Sequence, residues 1–428
     1  MVQNKELPGT YINFVSKAAA NATLSERGIV TMPLEMDWGA VGEVFPVTNA
    51  DFQKNSMEIF GYAYTDEKLK GLRDLFRNAE VLYGYRLNGG GKKATNALAE
   101  AVYPGIRGND LRIAVQVNAD NGSLFDVKTI LGTFVVDEQT VAGADELTAN
   151  AYVKWKPGAA LEASAGMALT GGENGEADGA AYQAYLDKIE SYSFHTMGAV
   201  VTDDTTKALF AAFVKRLRNE MGVKFQLVLY DYAKADDPGV ISVDNRVMDE
   251  GWSEAGIVYW ATGACAGCAV NRSNQNKKYD GEFAVDTAYT QIQLRDAVKA
   301  GKFVFHMVGT DVRVLEDINT MVTTSETQGD IFKDNQTIRV IDQIGNDIAV
   351  LFNTKYLGSM PNDAAGRVSL WSDIVAHHRQ MEQIRAIEGF SDSDITVEAG
   401  DTPKSVVVRD AVTVVSAMGK VYMTVTIA

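Results

Sequence analysis

Apolar and polar positions follow two rhythms along this chain. In one, apolar runs such as TMGAVVTD and KFQLVLYDY are nearly continuous, as in strands buried on both faces. The stretch between them, DDTTKALFAAFVKRLRNEMG, repeats its apolar positions at helical spacing, with Thr205 or Thr206 near its start and Gly222 at its end. Strand, helix, strand at this spacing predicts a βαβ crossover. TDEKLKGLRDLFRNAEVLYGYRL gives a helix with Thr65 as N-cap and an apolar stripe through Leu69, Leu72, Leu75 and Phe76, then a strand over residues 79–87. TQIQLRDAVKAGKFVFHMVGTDVRVLED predicts a further helix and more strands.

The second rhythm fills residues 110–164. LRIAVQVNAD, LFDVKTIL, TFVVDEQTV and ANAYVKWK are short alternating runs separated by turns, the pattern of a small β-barrel or sandwich. Glycine-rich stretches flank it, NGGGKKATNALAEAVYPGIRGND before and LTGGENGEADG after. The first fails as a phosphate loop: Gly91-Lys92 is followed by Lys93, and the position five before Gly91 is Arg86. It reads as a flexible glycine turn feeding a short Ala-rich helix.

Toward the C-terminus, Ile338, Ile341, Ile344, Ile348 and Leu351 mark one helix. WSDIVAHHRQMEQIRAIEGF is another, closed by Gly389, and its charged character predicts that at least one of His377 and His378 is solvated. KSVVVRDAVTVVSAMGKVYMTVTIA closes as strands, with Tyr422, Thr424 and Thr426 alternating against Met423, Val425 and Ile427. Residues 9–18, GTYINFVSKA, read as a lone strand with no nearby hairpin partner.

A length of 428 residues predicts two to four domains. A net charge of −16 disfavours nucleic acid as a partner, because phosphates are repelled. AAANA at residues 18–22 resembles a signal-cleavage site, but the apolar run before it, YINFV, is shorter than a secretory core. The uncharged stretch at residues 255–271 is Gly- and Ala-rich and lacks the bulk of a membrane span. These features predict a protein made and folded in a cytoplasm.

The only cysteines, Cys265 and Cys268, form a Cys-x-x-Cys. A redox dithiol needs a long helix after it. Here the strand-like GIVYW precedes the pair, and a loop-like AVNRSNQNKKYDG follows. Structural zinc needs four ligands, and His195, His306, His377 and His378 lack zinc spacing. The pair therefore reads as small packing residues, ahead of a redox or metal role. No G-x-S-x-G occurs, and Asp203-Asp204 and Asp236-Asp237 read as helix caps and loop starts. No catalytic, cofactor-binding or metal-binding residue is predicted, which moves weight to a structural role.

Several segments resemble contractile phage tail sheath proteins. LPGTYINF (residues 7–14) is similar to their opening, and VNRSNQNKKYDG (270–281) and GTDVRVLEDINTMVT (309–323) to their centre. DNQTIRVIDQIGNDI and IEGFSDSDITVEAGDTPKSVVVRDAVTVVSAMGKVYMTVTI are similar to their C-terminal core. The likeness is to the sheath type of phages, prophages and phage-tail-like bacteriocins of Gram-positive bacteria. It implies a non-enzymatic virion subunit with an α+β and α/β multidomain fold. In that fold a core is built from both chain ends, with an inserted β-barrel or sandwich domain and a central α/β domain. The expected divisions are an N-terminal arm (1–20), a small α/β segment (21–109), an outward-facing β-rich insert (110–170), an α/β domain (171–330) and a C-terminal core (331–428).

The resemblance also implies strands exchanged between copies. The candidates are Thr10, Tyr11, Ile12, Asn13 and Phe14 at one end and Val421, Tyr422, Met423, Thr424 and Val425 at the other. The implied partners are further copies in a head-to-tail helical stack, the inner tail tube protein, and baseplate and tail terminator proteins. No cofactor, nucleic acid or membrane span is implied. The implied location is a phage or bacteriocin tail assembled in the host bacterial cytoplasm. On the helix near residues 371–389, His378, Arg379 and Arg385 are the candidate tube-facing groups, against the plainer reading of a solvated face. The competing functions are a cytoplasmic α/β enzyme with an inserted β-domain, and another virion tube or baseplate protein.

Overall fold

The computed structural model describes residues 24–427. Contacts divide the described residues into two units: residues 24–26 with 339–416, and residues 27–338 with 417–427.

The larger unit starts with β1 (Ile29–Leu34), β2 (Val44–Thr48), α1 (Asn49–Phe60), α2 (Lys70–Phe76) and β3 (Val81–Arg86). α1 is fixed at both ends. Thr48 and Asp51 form a reciprocal capping box, and Gly61 ends the helix in the left-handed region at φ +77°. Asp66 rather than Thr65 caps the short turn that leads into α2.

Between β3 and residue 179 the chain is β-rich, with β4 (Ala99–Ala101), β5 (Leu111–Val117), β6 (Phe125–Leu131), β7 (Phe134–Val141), β8 (Val153–Trp155) and β9 (Ser164–Ala168). An open antiparallel sheet runs β7-β6-β5-β9, so the barrel alternative is not realised. The sequence pattern missed β9. β8 pairs with β4 outside this sheet. No Ala-rich helix follows the glycines: Asn96 Oδ1 accepts the backbone N–H groups of Leu98 and Ala99 and turns the chain into β4.

The chain then returns through α3 (Gly179–Ile189), β10 (Thr196–Gly198), α4 (Asp204–Arg216), β11 (Gln226–Tyr230), β12 (Val240–Val243), α5 (Ile257–Gly267), α6 (Gln291–Lys299) and β13 (Lys302–Phe303). The central sheet has the order β13-β12-β11-β10-β1-β3-β2, parallel throughout except for β2. Val228 packs into one apolar cluster with Met32, Phe52, Leu75 and Trp260, while its neighbours Leu227 and Leu229 join Tyr185, Phe210 and Val214 in another. Successive residues of a strand point to opposite faces, so the sheet is covered on both sides.

GIVYW does not form the predicted strand; its last four residues open α5, which carries the cysteines at its C-terminal end. Packing overrides the β-propensity of Ile, Val, Tyr and Trp. A Cβ on Gly263 would stand 2.2 Å from the Leu75 carbonyl oxygen, and one on Gly267 would stand 2.0 Å from that of Asn78. Only glycine allows α5 to lie this close to α2 and the turn after it. Cys265 and Cys268 are buried in the same stretch.

A hairpin, β14 (Phe305–Val308) and β15 (Asp311–Val314), precedes α7 (Asn335–Leu351). A buried polar chain joins the stretches on which the sheath resemblance rests. Asp317 accepts Asn274 N–H at 2.8 Å and Asn335 Nδ2 at 3.0 Å, and Gln226 Nε2 donates to Asn335 Oδ1 at 2.9 Å.

The smaller unit holds most of α7, then α8 (Ala364–Gln383), β16 (Ile387–Glu388), β17 (Ile395–Ala399), β18 (Val406–Asp410) and β19 (Thr413–Val414). β17 pairs with β18 and β16 with β19, over a cluster including Leu351, Tyr356, Leu370 and Ile374. Ser25 reaches this unit from the other end of the chain, donating its hydroxyl to Asp347 at 2.6 Å.

Candidate functional site

The predicted chemistry lies at three places. Thr10, Tyr11, Ile12, Asn13 and Phe14 lie outside the described residues. Val421, Tyr422, Met423, Thr424 and Val425 are described, and they form no strand. β19 ends at Val414, and Ala417 N–H donates to Gln336 Oε1 at 2.8 Å. Beyond that point Val421 is 87% exposed, Tyr422 92% and Ile427 92%. An isolated strand has no ladder to hold it, which explains why the alternating pattern gives no sheet here. A run of exposed apolar side chains with free backbone groups is a template for pairing with another chain.

The third place is α8. His378 is fully buried, which removes it from the candidate tube-facing set and corrects the expectation that one of the two histidines is solvated. Its Nδ1 lies 3.0 Å from the Ile374 carbonyl, and its Nε2 lies 2.9 Å from an Asp410 oxygen. His377 is buried too, with Nε2 2.9 Å from Asp347. Burial pushes the Asp347 carboxyl up, but hydrogen bonds from His377, Ser25 and Gln343 outweigh it and hold the carboxyl below its ordinary value. Ile374, His377, His378 and Met381 are all buried, at the spacing of one helix face. The sequence carries that signal once histidine is admitted to the stripe.

Arg379 and Arg385 remain at the surface. Arg379 Nη2 lies 2.7 Å from Asp392, an exposed pair of small energetic worth that can be exchanged for another partner. Arg385 has no ion-pair partner among the described residues. Its backbone sits at φ +63°, just past the end of α8. Its N–H donates to the Glu382 carbonyl at 2.8 Å, and Ala386 N–H donates to that of Met381 at 2.9 Å. This is the six-residue helix stop that glycine ordinarily occupies. An arginine there costs about 1 kcal/mol or more of backbone strain, and such strain marks functional positions more often than others.

Among the described residues no group of His, Cys, Asp and Glu could hold a metal ion, and no helix is long and apolar enough to cross a membrane.

Four family models match consecutive stretches of the chain. They are the tail sheath protein Gp18 domain III N-terminal region (27–87), the phage tail sheath protein beta-sandwich domain (89–174), its central domain (175–320) and its C-terminal domain (327–428). The chain belongs to the phage tail sheath family. It is 31% identical to the phage-like element PBSX protein XkdK of Bacillus subtilis, over 99% of this chain and 97% of that protein. It superimposes on the sheath tail protein of Desulfitobacterium hafniense with a TM-score of 0.80 at 36% identity, covering 91% of this chain and 93% of that one. The sheath tail protein of Listeria innocua gives a TM-score of 0.80 at 30% identity, covering 94% and 95%. The protein is therefore a tail sheath protein, and its fold is also that of the contracted sheath of an extracellular contractile injection system, at a TM-score of 0.60 and 10% identity.

Proposed function

We propose that residues 10–14 and 421–425 are strands this sheath subunit exchanges with neighbouring copies, joining them head-to-tail into a helical stack around an inner tube. The observation that carries this reading is the exposed apolar run at residues 418–427, which has no strand partner among the described residues. Each ladder hydrogen bond contributes about 1 kcal/mol net, so a few can hold copies together while their bodies rotate. A head-to-tail link does not close on itself and builds an open helix. Contraction then exchanges one set of body contacts for a better one and drives the tube through a cell envelope. Baseplate and terminator proteins meet the two ends of the stack. The particle is a phage or bacteriocin tail assembled in the host bacterial cytoplasm.

Arg379 and Arg385 are the tube-facing groups in this reading. Surface charge contacts are modest and screened by salt, which suits a tube that must be released. The β-rich insert faces outward in this reading, and its excision with a short linker is expected to leave sheath formation intact.

Deletion of residues 1–16 tests the exchange. The shortened chain is expected to remain a folded monomer in sedimentation and in electron micrographs. Cylinders of normal length from it would overturn the proposal.

A further inference from the structure

The glycines flanking the β-rich insert are not loose turns. The incoming stretch at residues 88–110 and the outgoing stretch at 168–176 run side by side. Lys92 and Glu173 exchange both backbone hydrogen bonds, at 2.9 and 3.0 Å, and Thr95 and Thr170 do the same at 2.9 and 3.0 Å. Gly175 N–H donates to the Asn88 carbonyl at 2.9 Å. Asn109 Nδ2 donates to the Gly172 carbonyl at 2.9 Å, and Gly172 N–H returns a bond to Asn109 Oδ1 at 2.8 Å. The close approach requires glycine. A Cβ on Gly91 would lie 1.8 Å from the Glu173 carbonyl oxygen, and one on Gly172 would lie 2.4 Å from that of Gly105.

At the root of this stem lies Arg86, the last residue of β3, with its side chain buried. Nη1 donates to the carbonyls of Gly39 at 3.2 Å and Pro104 at 2.8 Å. Nε donates to Asn88 Oδ1 at 3.2 Å, and Nη2 reaches Asn174 Oδ1 at 3.5 Å. One guanidinium thus touches the loop after β1, the incoming stretch and the outgoing stretch. Asn174 Nδ2 donates in turn to Asp37 Oδ1 at 2.8 Å, and Asp37 accepts the Tyr62 hydroxyl at 2.6 Å. Burial lowers the Arg86 pKa to about 10, so it remains a cation at neutral pH. A buried cation is tolerated only where oxygens surround it, which ties the three segments to one geometry.

We propose that Arg86 anchors a stiff stem that fixes the β-rich insert in one orientation on the central sheet, so that the two turn as one rigid body. Arg86 is a positioning residue. The stem stands on its own geometry, and only its use in contraction, to carry the insert round without a swing, rests on the sheath reading.

Hydrogen exchange on the purified full-length chain tests it. The amides of Lys92, Thr95, Glu173 and Gly175 are expected to exchange at least about 100-fold more slowly than unprotected amides. Arg86→Met is expected to speed these four by roughly tenfold or more while leaving Leu227 and Val228 of β11 unchanged. Unprotected stem amides in the wild-type chain would overturn the proposal, as would an Arg86→Met chain with unaltered stem exchange. If Arg86→Met does not fold, spin labels on β6 and on α4 of the otherwise wild-type chain decide it: one narrow distance distribution supports the stem, and a broad one overturns it. Failure of the wild-type chain, with its stem amides protected, to form cylinders would count against the sheath reading and leave the stem standing.

Discussion

Arg385 donates its backbone N–H to the Glu382 carbonyl at 2.8 Å while holding φ at +63°, so an arginine occupies the left-handed stop of α8. Arg385→Gly is expected to stabilise the chain by roughly 1 kcal/mol in denaturant unfolding, because glycine adopts this conformation without strain. The same change is expected to reduce assembly of sheath on tubes, as is the pair Arg379→Glu with Arg385→Glu. Higher stability with undiminished assembly on tubes at ordinary salt would remove Arg385 from that interface.

The Asp74 carboxyl is buried beneath Tyr279, whose hydroxyl donates to it at 2.5 Å, and it also accepts Glu282 N–H at 2.7 Å. Burial pushes its pKa up to about 6, against the pull of those two hydrogen bonds. An unfolded aspartate releases its proton near pH 4. Between these values the folded chain holds a proton that the unfolded chain has lost. Stability from this group is therefore highest below about pH 4 and falls by on the order of 2 kcal/mol as pH rises through 6. Asp74→Asn is expected to flatten that slope, read as the difference between variant and wild-type unfolding curves across pH 4–7. Parallel curves would show that Asp74 does not carry it.

The alternation of strand and helix from β10 to β11 was legible because both strands are buried on two faces and α4 has a clean apolar stripe. α5 was not, since its first residues have strand propensity and its helical state depends on Gly263 and Gly267 meeting α2 and the turn after it, a contact distant in sequence. The expectation that at least one of the two histidines of α8 is solvated failed because their polarity argued for solvent, while buried Asp347 and the surface residue Asp410 supply partners that no local pattern reveals. Residues 421–425 were rightly seen to alternate, but alternation records only a preference for pairing, and no partner strand lies among the described residues. The stem of the insert was invisible for the same reason: glycine reads as freedom in a sequence and as close approach in a fold.

The packing of α5 predicts opposite outcomes for neighbouring small residues. Gly267→Ala forces a methyl against the Asn78 carbonyl and is expected to destabilise the chain by roughly 1–3 kcal/mol or more. Cys265→Ala removes one buried sulfur and is expected to cost about 1 kcal/mol, with the fold retained. Chemical denaturation of both variants gives the comparison, and a larger loss for Cys265→Ala would show that the thiol does more than fill space.

Electron cryomicroscopy of the assembled cylinder tests the central claim most directly. Residues 421–425 of each copy are predicted to lie as a strand hydrogen-bonded to a sheet of a neighbouring copy, with Val421, Met423 and Val425 covered. Cylinders in which this segment stays unpaired and exposed, as it is in the single chain, would contradict the account.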